Sequence, residues 1–126
     1  MIETKRLTLD EIEDLAFNAL TAAGTSEANA RPLAVATAVT EADGVASHGL
    51  AYIPIYCEHV QCGKVDGQAT PTLAQTRPGV VTVDAATGFA HSAIDLGFES
   101  LIPLARSQGI ALLSIRNSYN LSLIHI

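Results

Sequence analysis

The spacing of apolar residues changes near Gly67, and that change limits the folds open to this chain. Before Gly67, apolar residues recur at the three- and four-residue spacing of amphipathic helices. After it, the run Val80-Val81-Thr82-Val83 is typical of a buried strand. Helical and strand periods in this order favour a helical bundle followed by an α/β sheet. We therefore predict an α/β protein with a helical region at residues 1–66 and the start of an α/β domain at residues 67–120.

Three helices are predicted in the first region. A capping-box pattern at Thr8 precedes a helix over about residues 9–23. Ser26 opens a second helix, which Gly44 can end. A third apolar segment covers about residues 50–61.

The second region has the pattern of a strand, a helix and a strand. A short extended piece precedes the strand at Val80, and a helix over about residues 88–107 leads to a strand over residues 110–115. Pro103 is expected to kink or shorten that helix. The chain has no Gly-x-Gly-x-x-Gly run, so the sheet is predicted to be non-Rossmann.

Composition excludes several classes of partner. Seven basic and thirteen acidic residues give a net charge of −6, with no basic cluster, so nucleic acid is not expected as a partner. No apolar stretch has the length of a signal peptide or a membrane span, which favours a cytoplasmic protein without a membrane partner. Only 16% of residues are charged, against roughly 25% in typical domains. Part of the surface is therefore expected to be covered by further chain or by a second subunit.

The cysteines and histidines do not have the spacing of a metal site. Cys57 and Cys62 match neither a redox pair nor a zinc ligand pattern, and we expect reduced thiols and no metal. His59 is expected at the surface or at the edge of the core. His91 is expected to cap a helix or to face solvent.

The segment Ser47-His48-Gly49 is the main candidate for catalysis. An imidazole exchanges protons near neutral pH, so His48 is the candidate general acid and base. Ser47 can hydrogen-bond the same substrate oxygen or orient the ring, and Gly49 lets a substrate approach the backbone.

The helix that follows this segment affects its chemistry. A helix beginning near Ser47 would favour a substrate carboxylate and a neutral His48. Pro54 leaves two alternatives, namely a later start with the proline in the first turn, or a kinked helix. In a helix, Tyr52 and Tyr56 share a face with His48 and are candidate substrate-binding residues.

A second candidate site follows the last predicted strand. Arg116, Asn117 and Ser118 lie where loops of α/β sheets often contact ligands, which makes them candidate cofactor-binding or substrate-binding residues. A turn that only leaves the sheet would use the same residues. Likewise, a serine and a histidine before glycine also occur at ordinary turns, and tyrosines at helical spacing also serve packing.

Several motifs along the chain occur in the order found in one enzyme family. They are Glu41–Leu50 with Ile53-Pro54 and Tyr56, Gly63-Lys64-Val65, Val83-Asp84-Ala85, Gly88-Phe89-Ala90, Ala105-Arg106, Gly109-Ile110-Ala111 and Arg116-Asn117-Ser118. Through these motifs the chain resembles the type-2 malate/L-lactate dehydrogenases, a family that includes L-sulfolactate, ureidoglycolate and piperideine-carboxylate enzymes.

The resemblance implies a mixed sheet sandwiched by helices, a homodimer, and NAD or NADP as cofactor. It also implies oxidation or reduction of a small 2-hydroxy acid, 2-oxo acid or cyclic imino acid, with His48 as proton donor and acceptor. Relatives commonly carry arginine at position 52, where a guanidinium can hold a substrate carboxylate through two hydrogen bonds. Tyr52 therefore marks a departure that bears on substrate affinity.

Family chains are longer, so we expect this chain to be a truncated N-terminal fragment that is inactive by itself. Residues 121–126 break the pattern where relatives have glycines, and a transposon-end sequencing adapter translates to the same six residues. They are expected to be a non-native tail, with a short apolar strand as the alternative. The alternative function is a non-catalytic α/β association module or an inactive truncated paralogue.

Overall fold

A computed structural model describes residues 5–119, so the tail expected at residues 121–126 lies outside the described part. The elements in order are α1 (Leu9–Ala22), α2 (Glu27–Ala42), two single 3-10 turns (Ala46–His48 and Leu50–Tyr52), α3 (Ile53–Gln61), β1 (Thr72–Arg77), β2 (Val80–Asp84), α4 (Ala90–Gln108) and β3 (Leu112–Arg116). The predicted α/β class and the order of helices and strands are confirmed.

Local signals fix where α1 and α2 begin. The Thr8 hydroxyl accepts a hydrogen bond from the Glu11 amide at 3.2 Å, and the Glu11 carboxylate accepts one from the Thr8 amide at 2.8 Å. The Ser26 hydroxyl accepts from the Asn29 amide at 3.3 Å at the start of α2. These bonds satisfy amides that a helix N-terminus leaves without partners.

The three strands form one mixed sheet in the order β1-β2-β3. β1 and β2 are antiparallel, whereas β2 and β3 are parallel and are joined by α4. Val81 and Val83 of the central strand are fully buried and pack with Ala93 of α4. The β-branched run is therefore the buried strand that its sequence predicts.

Two details of the second region differ from expectation. The last strand begins at Leu112 instead of residue 110, because Gly109 ends α4 at φ 81° and the chain then needs two residues to return to the sheet. Helix α4 continues through Pro103 to Gln108, so the proline does not shorten it. Pro103 has no N–H to donate to the Glu99 carbonyl. Both residues are exposed, so water can donate to that carbonyl in its place.

A buried amide ties the helices to the sheet region. The Asn29 side-chain amide donates to the carbonyls of Gly67 and Ala69 at 3.0 and 2.8 Å. Its oxygen accepts from the hydroxyl of Ser92 on α4 at 2.7 Å. Three separate segments thereby meet at one side chain that is only 3% exposed.

The helices among residues 5–119 lack the combination of length and apolar composition that a bilayer span requires.

Candidate functional site

The Ser47-His48 segment lies in an exposed turn between α2 and α3. It forms the 3-10 turn Ala46–His48, and a second 3-10 turn follows Gly49 before α3 begins at Ile53. Pro54 therefore lies in the first turn of α3, which selects the later of the two starts considered from sequence. Because no α-helix begins near Ser47, the expectation of a neutral His48 loses its physical basis.

Ser47 and His48 contact each other directly. The Ser47 hydroxyl lies 2.9 Å from Nδ1 of His48, and both residues are exposed. When Nδ1–H donates to the hydroxyl oxygen, Nε2 is left free to exchange a proton with a substrate. The turn therefore supplies an accessible imidazole with one nitrogen already engaged.

Glu41, near the end of α2, holds the far side of this turn. Its carboxylate oxygen Oε1 accepts a hydrogen bond from the Leu50 amide at 2.7 Å. Gly49 is buried beside it. Glu41 is the first residue of the sequence motif, but the sequence predicts no role for it, because the nine-residue separation from Leu50 has no local signature.

A run of aromatic rings extends from His48 into the protein. The His48 and Tyr52 rings are nearly parallel, with centroids 6.2 Å apart. Tyr52 meets Tyr56 edge to face at 4.9 Å, and Tyr56 meets Phe89 at 5.6 Å. The three rings are therefore adjacent, but His48 and Tyr52 lie in separate 3-10 turns and only Tyr56 lies in α3, so they do not share the face of one helix that the prediction assumed. Burial, and to a lesser degree the nearby Tyr52, raises the pKa of Tyr56.

Tyr119 joins this run and was missed from sequence. Its ring lies 6.2 Å from Tyr56 and 5.6 Å from Phe89, and its hydroxyl is hydrogen-bonded to Nδ1 of His59. Desolvation raises the pKa of Tyr119 to about 12. The Lys64 ammonium lies 3.5 Å from Nε2 of His59. The available signal was position, since Tyr119 directly follows the candidate segment 116–118.

Arg116 and Asn117 converge on Asp84, at the ends of β3 and β2. Nε of Arg116 lies 3.1 Å from Oδ2 of Asp84, and the Asn117 amide donates to both carboxylate oxygens at 3.1 Å. The backbone amide of Ala86 is the main cause that lowers the pKa of Asp84, followed by Asn117 and then Arg116. Ser118 is half-buried.

The hydrogen bonds and ion pairs described within residues 5–119 do not join Arg116 or Asn117 to the Ser47-His48 turn. The aromatic run that starts at His48 ends at Tyr119, which follows Arg116 and Asn117 along the chain. The structure therefore gives two separate polar groups.

A small groove lies beside Arg116 at the end of β3. Arg116 lines a groove of about 130 Å³ with Thr72, Thr82 and Asp84, which is smaller than the roughly 300–1,000 Å³ of complete ligand sites. The Arg116 side chain is 67% exposed, and only one of its five N–H donors is needed for the Asp84 contact. The guanidinium therefore keeps free donors at the groove, and a whole dinucleotide needs further residues.

His91 is neither a cap nor a fully solvent-facing residue. It is half-buried at the start of α4 and lines a cavity of about 340 Å³ with Arg31, Val35, Ile94 and Asp95. Its Nδ1 is buried and makes no hydrogen bond within the described part of the chain. Burial lowers the pKa of His91, and Asp95 partly opposes that shift. The packing of α4 against α2 is the reason that the solvent-facing expectation is wrong.

The described residues include no group of three or more histidine, cysteine, aspartate or glutamate side chains placed to hold a metal ion. Cys57 is half-buried and Cys62 is exposed, and both are free thiols.

Comparison with known proteins identifies the family. The family model of the malate/L-lactate dehydrogenases matches residues 7–125. The chain belongs to this family. The resemblance drawn from the sequence motifs is thereby confirmed.

Related members of the malate/L-lactate dehydrogenase family are oxidoreductases. A Δ1-pyrroline-2-carboxylate/Δ1-piperideine-2-carboxylate reductase of Pseudomonas putida is 43% identical over 115 residues, which cover 91% of this chain and 34% of that protein. A (2R)-3-sulfolactate dehydrogenase (NADP(+)) of Chromohalobacter salexigens is 40% identical over 119 residues, covering 93% of this chain and 35% of that protein. The chain thus spans about a third of the length of these curated relatives.

Solved structures of the family share the fold. The Δ1-piperideine-2-carboxylate reductase of Pseudomonas syringae pvar. tomato is 37% identical and superposes with a TM-score of 0.88, over 91% of this chain and 35% of that one. A malate dehydrogenase of Entamoeba histolytica is 24% identical and superposes with a TM-score of 0.83, over 94% of this chain and 33% of that one. The second match bears on fold alone.

Proposed function

We propose that the full-length protein is an NAD(P)-dependent oxidoreductase in which His48 exchanges the proton of the reaction. The observation that carries the proposal is the exposed Ser47-His48 pair, with the hydroxyl 2.9 Å from Nδ1. The substrate is a small carboxylic acid with a C=N or C=O group at C2, of the cyclic imino acid or 2-oxo acid type. The reductase names of several relatives favour the cyclic imino acid.

The proton chemistry follows from the geometry of the turn. In the direction of reduction, C2 gains a hydride and the attached nitrogen or oxygen gains a proton. A bound nicotinamide supplies the hydride in reduction and accepts it in oxidation. In reduction, the imidazolium of His48 gives up its Nε2 proton and becomes neutral, while Nδ1–H keeps its hydrogen bond to the Ser47 hydroxyl oxygen. In oxidation, the free Nε2 of the neutral ring accepts the proton.

Tyr52 and Tyr56 are proposed to bind the substrate beside His48. Their rings form a wall next to the imidazole, and the raised pKa of Tyr56 keeps its hydroxyl protonated and able to donate at neutral pH. Each phenol offers one neutral donor in place of the two parallel bonds of a guanidinium. We therefore propose weaker carboxylate binding than in relatives with arginine at position 52.

Arg116, Asn117 and Ser118 are proposed to contact an anionic part of NAD or NADP. The support is the exposed guanidinium of Arg116 at the carboxyl end of β3, the edge where α/β sheets commonly bind ligands. A homodimer of the full-length protein is part of the same proposal.

The test is a steady-state assay of the full-length protein carrying His48→Gln or His48→Ala. Δ1-Pyrroline-2-carboxylate, Δ1-piperideine-2-carboxylate and oxaloacetate serve as substrates, and consumption of NADH or NADPH is followed by absorbance. Loss of general acid catalysis should lower kcat about 100- to 10,000-fold. His91→Gln, a histidine away from the turn, is the matched control and should retain activity. Unchanged turnover in His48→Ala would contradict the role of His48.

A second candidate is a non-catalytic association module, favoured by exposed apolar side chains on α2 and α4. Val39, Phe98 and Ile102 are 55%, 47% and 47% exposed. A stable oligomer that binds neither NADH nor NADPH in calorimetry would favour this function. Nucleotide binding together with turnover would exclude it.

A further inference from the structure

The turn that bears His48 is fixed to α2 through Glu41. The Oε1 atom of Glu41 accepts the Leu50 amide at 2.7 Å, a length typical of a charge-assisted hydrogen bond. Leu50 begins the second 3-10 turn, two residues after His48. One carboxylate therefore joins the end of the helix before the site to the residues just beyond it.

Gly49 makes room for this carboxylate. A Cβ atom at Gly49 would lie 2.1 Å from Oε1 of Glu41 and 2.5 Å from its Cδ. At φ −91° the residue is outside the left-handed region, so close approach and not a positive φ explains the glycine. By contrast, Gly44 has a φ of +76° and no atom near its absent side chain. The two glycines of this segment thus serve different physical purposes.

The rest of the turn has few side-chain restraints. Residues 43–48 are all exposed, and neither 3-10 turn has a side-chain cap. The backbone bonds of this stretch are local, such as the His48 amide to the Val45 carbonyl at 3.0 Å and the Gly49 amide to the Ala46 carbonyl at 3.4 Å. The Val45 amide also bonds to the Thr40 carbonyl of α2 at 3.1 Å, so backbone bonds tie the start of the turn to that helix. The Glu41–Leu50 contact ties the far end of the turn to the same helix.

We propose that Glu41 is a positioning residue, which holds His48 at the substrate by anchoring the Leu50 amide in the space that Gly49 leaves. The proposal rests on the proposed function of His48. Glu41 does not exchange the proton itself. Its effect on the reaction passes through the placement of the imidazole, and a displacement of about 1 Å at a reacting group can cost about 100-fold in rate.

The experiment compares Glu41→Ala, Glu41→Gln and Gly49→Ala in the full-length protein, with Asp43→Asn as the control at the same helix end. Glu41→Ala removes the acceptor, and Gly49→Ala displaces it. Both should lower kcat by about 10- to 100-fold while the KM for the nicotinamide changes less than about threefold. Glu41→Gln keeps an acceptor oxygen and should stay within about 10-fold of the wild type.

Amide hydrogen exchange at Leu50, followed by NMR, supplies a readout that does not depend on turnover. Exchange should accelerate in Glu41→Ala and Gly49→Ala, and should stay slow in Glu41→Gln and Asp43→Asn. If the wild type turns over none of the substrates, the proposed function fails, while the exchange rates still test the Glu41–Leu50 contact.

Three results would overturn the proposal. An unchanged Leu50 exchange rate in Glu41→Ala would show that the Glu41 carboxylate does not hold the Leu50 amide. Faster Leu50 exchange in Glu41→Ala, together with a kcat equal to that of Asp43→Asn, would show that the contact does not position His48. Equal losses of kcat in Glu41→Ala and Glu41→Gln show that the charge, and not the anchor, is what the reaction needs.

Discussion

The surroundings of a single side chain decide how it behaves, as His91 and Asp84 illustrate. His91 is packed against α2, and burial lowers its pKa because the charged imidazolium is poorly solvated there. Asp84 is a carboxylate at a strand end, and its pKa is lowered because it accepts hydrogen bonds from Ala86, Asn117 and Arg116. Both groups make the folded protein less stable as the pH falls. His91 does so because its protonated ring is poorly solvated, and Asp84 because protonation weakens the hydrogen bonds that its carboxylate accepts.

Lowering the pH should destabilise the protein through His91. Its folded pKa lies below the ordinary value of 6.5, so below about pH 6.5 the unfolded chain binds the proton more readily, and the free energy of unfolding falls as pH falls. Urea unfolding at about pH 8 and about pH 5.5 should show a smaller acid loss in His91→Gln than in the wild type. Asp95→Asn, which removes the charge that favours the imidazolium, should deepen the acid loss. The same acid loss in wild type and His91→Gln would contradict this account.

At the scale of elements, the structure depends on contacts between segments that are distant in sequence. β2 and β3 pair in parallel because α4 carries the chain back to the end of the sheet at which β2 begins. The backbone amide of Tyr119 donates to the Gly88 carbonyl at 2.8 Å, which places the aromatic run against the start of α4. Asn29 joins α2 to the segment at Gly67 and to α4. The candidate site depends on these connections because its two halves lie in the turns before α3 and at the end of β3.

Removing the Asn29 amide should destabilise the whole fold. Asn29→Ala leaves the buried Ala69 carbonyl without this donor and the Ser92 hydroxyl without its acceptor, and the Gly67 carbonyl keeps only its bond from the Ser26 amide. We expect a loss of about 3 kcal/mol in the free energy of unfolding by urea. Asn18→Ala, at an exposed position of α1, is the matched control and should change stability by less than about 0.5 kcal/mol. A similar small change in both variants would show that the Asn29 network does not stabilise the fold.

The whole molecule exposes an apolar surface on two neighbouring helices. We define this surface by Val35, Val39, Ile94, Phe98 and Ile102, each of which is more than a third exposed. The four-residue spacing within each helix places these side chains on one face. Together with the low charged fraction, this surface fits the expectation that part of the chain is covered by further chain or by a second subunit.

The 126-residue chain by itself should self-associate through this apolar surface. Sedimentation velocity should show a weight-average mass that rises with concentration, and Val39→Lys with Phe98→Lys should shift the chain toward the monomer. The two changes should cost less than about 1 kcal/mol in unfolding free energy, because both positions are exposed. Leu15→Lys with Ile110→Lys, exposed apolar positions elsewhere, is the control. Equal effects of the two pairs would place the association outside this surface.

The sequence by itself determined the family, the α/β class and the local elements. The Thr8 capping box and the Val80–Val83 run each act through neighbours within a few residues, so their structural consequence can be predicted from spacing alone. The contact of Tyr52 with Tyr56, at the start of α3, follows in the same way from their four-residue spacing.

Only the tertiary structure decided how the candidate site is assembled. Glu41 contacts Leu50 nine residues away, His59 contacts Tyr119 sixty residues away, and Arg116 contacts Asp84 across two paired strands. Each of these residue types can bond to many partners. The path of the folded chain decides which of those partners comes within hydrogen-bonding distance. Sequence patterns encode short-range geometry, whereas the anchoring of the Ser47-His48 turn and the separation of the two polar groups depend on how α2, α3 and β3 pack.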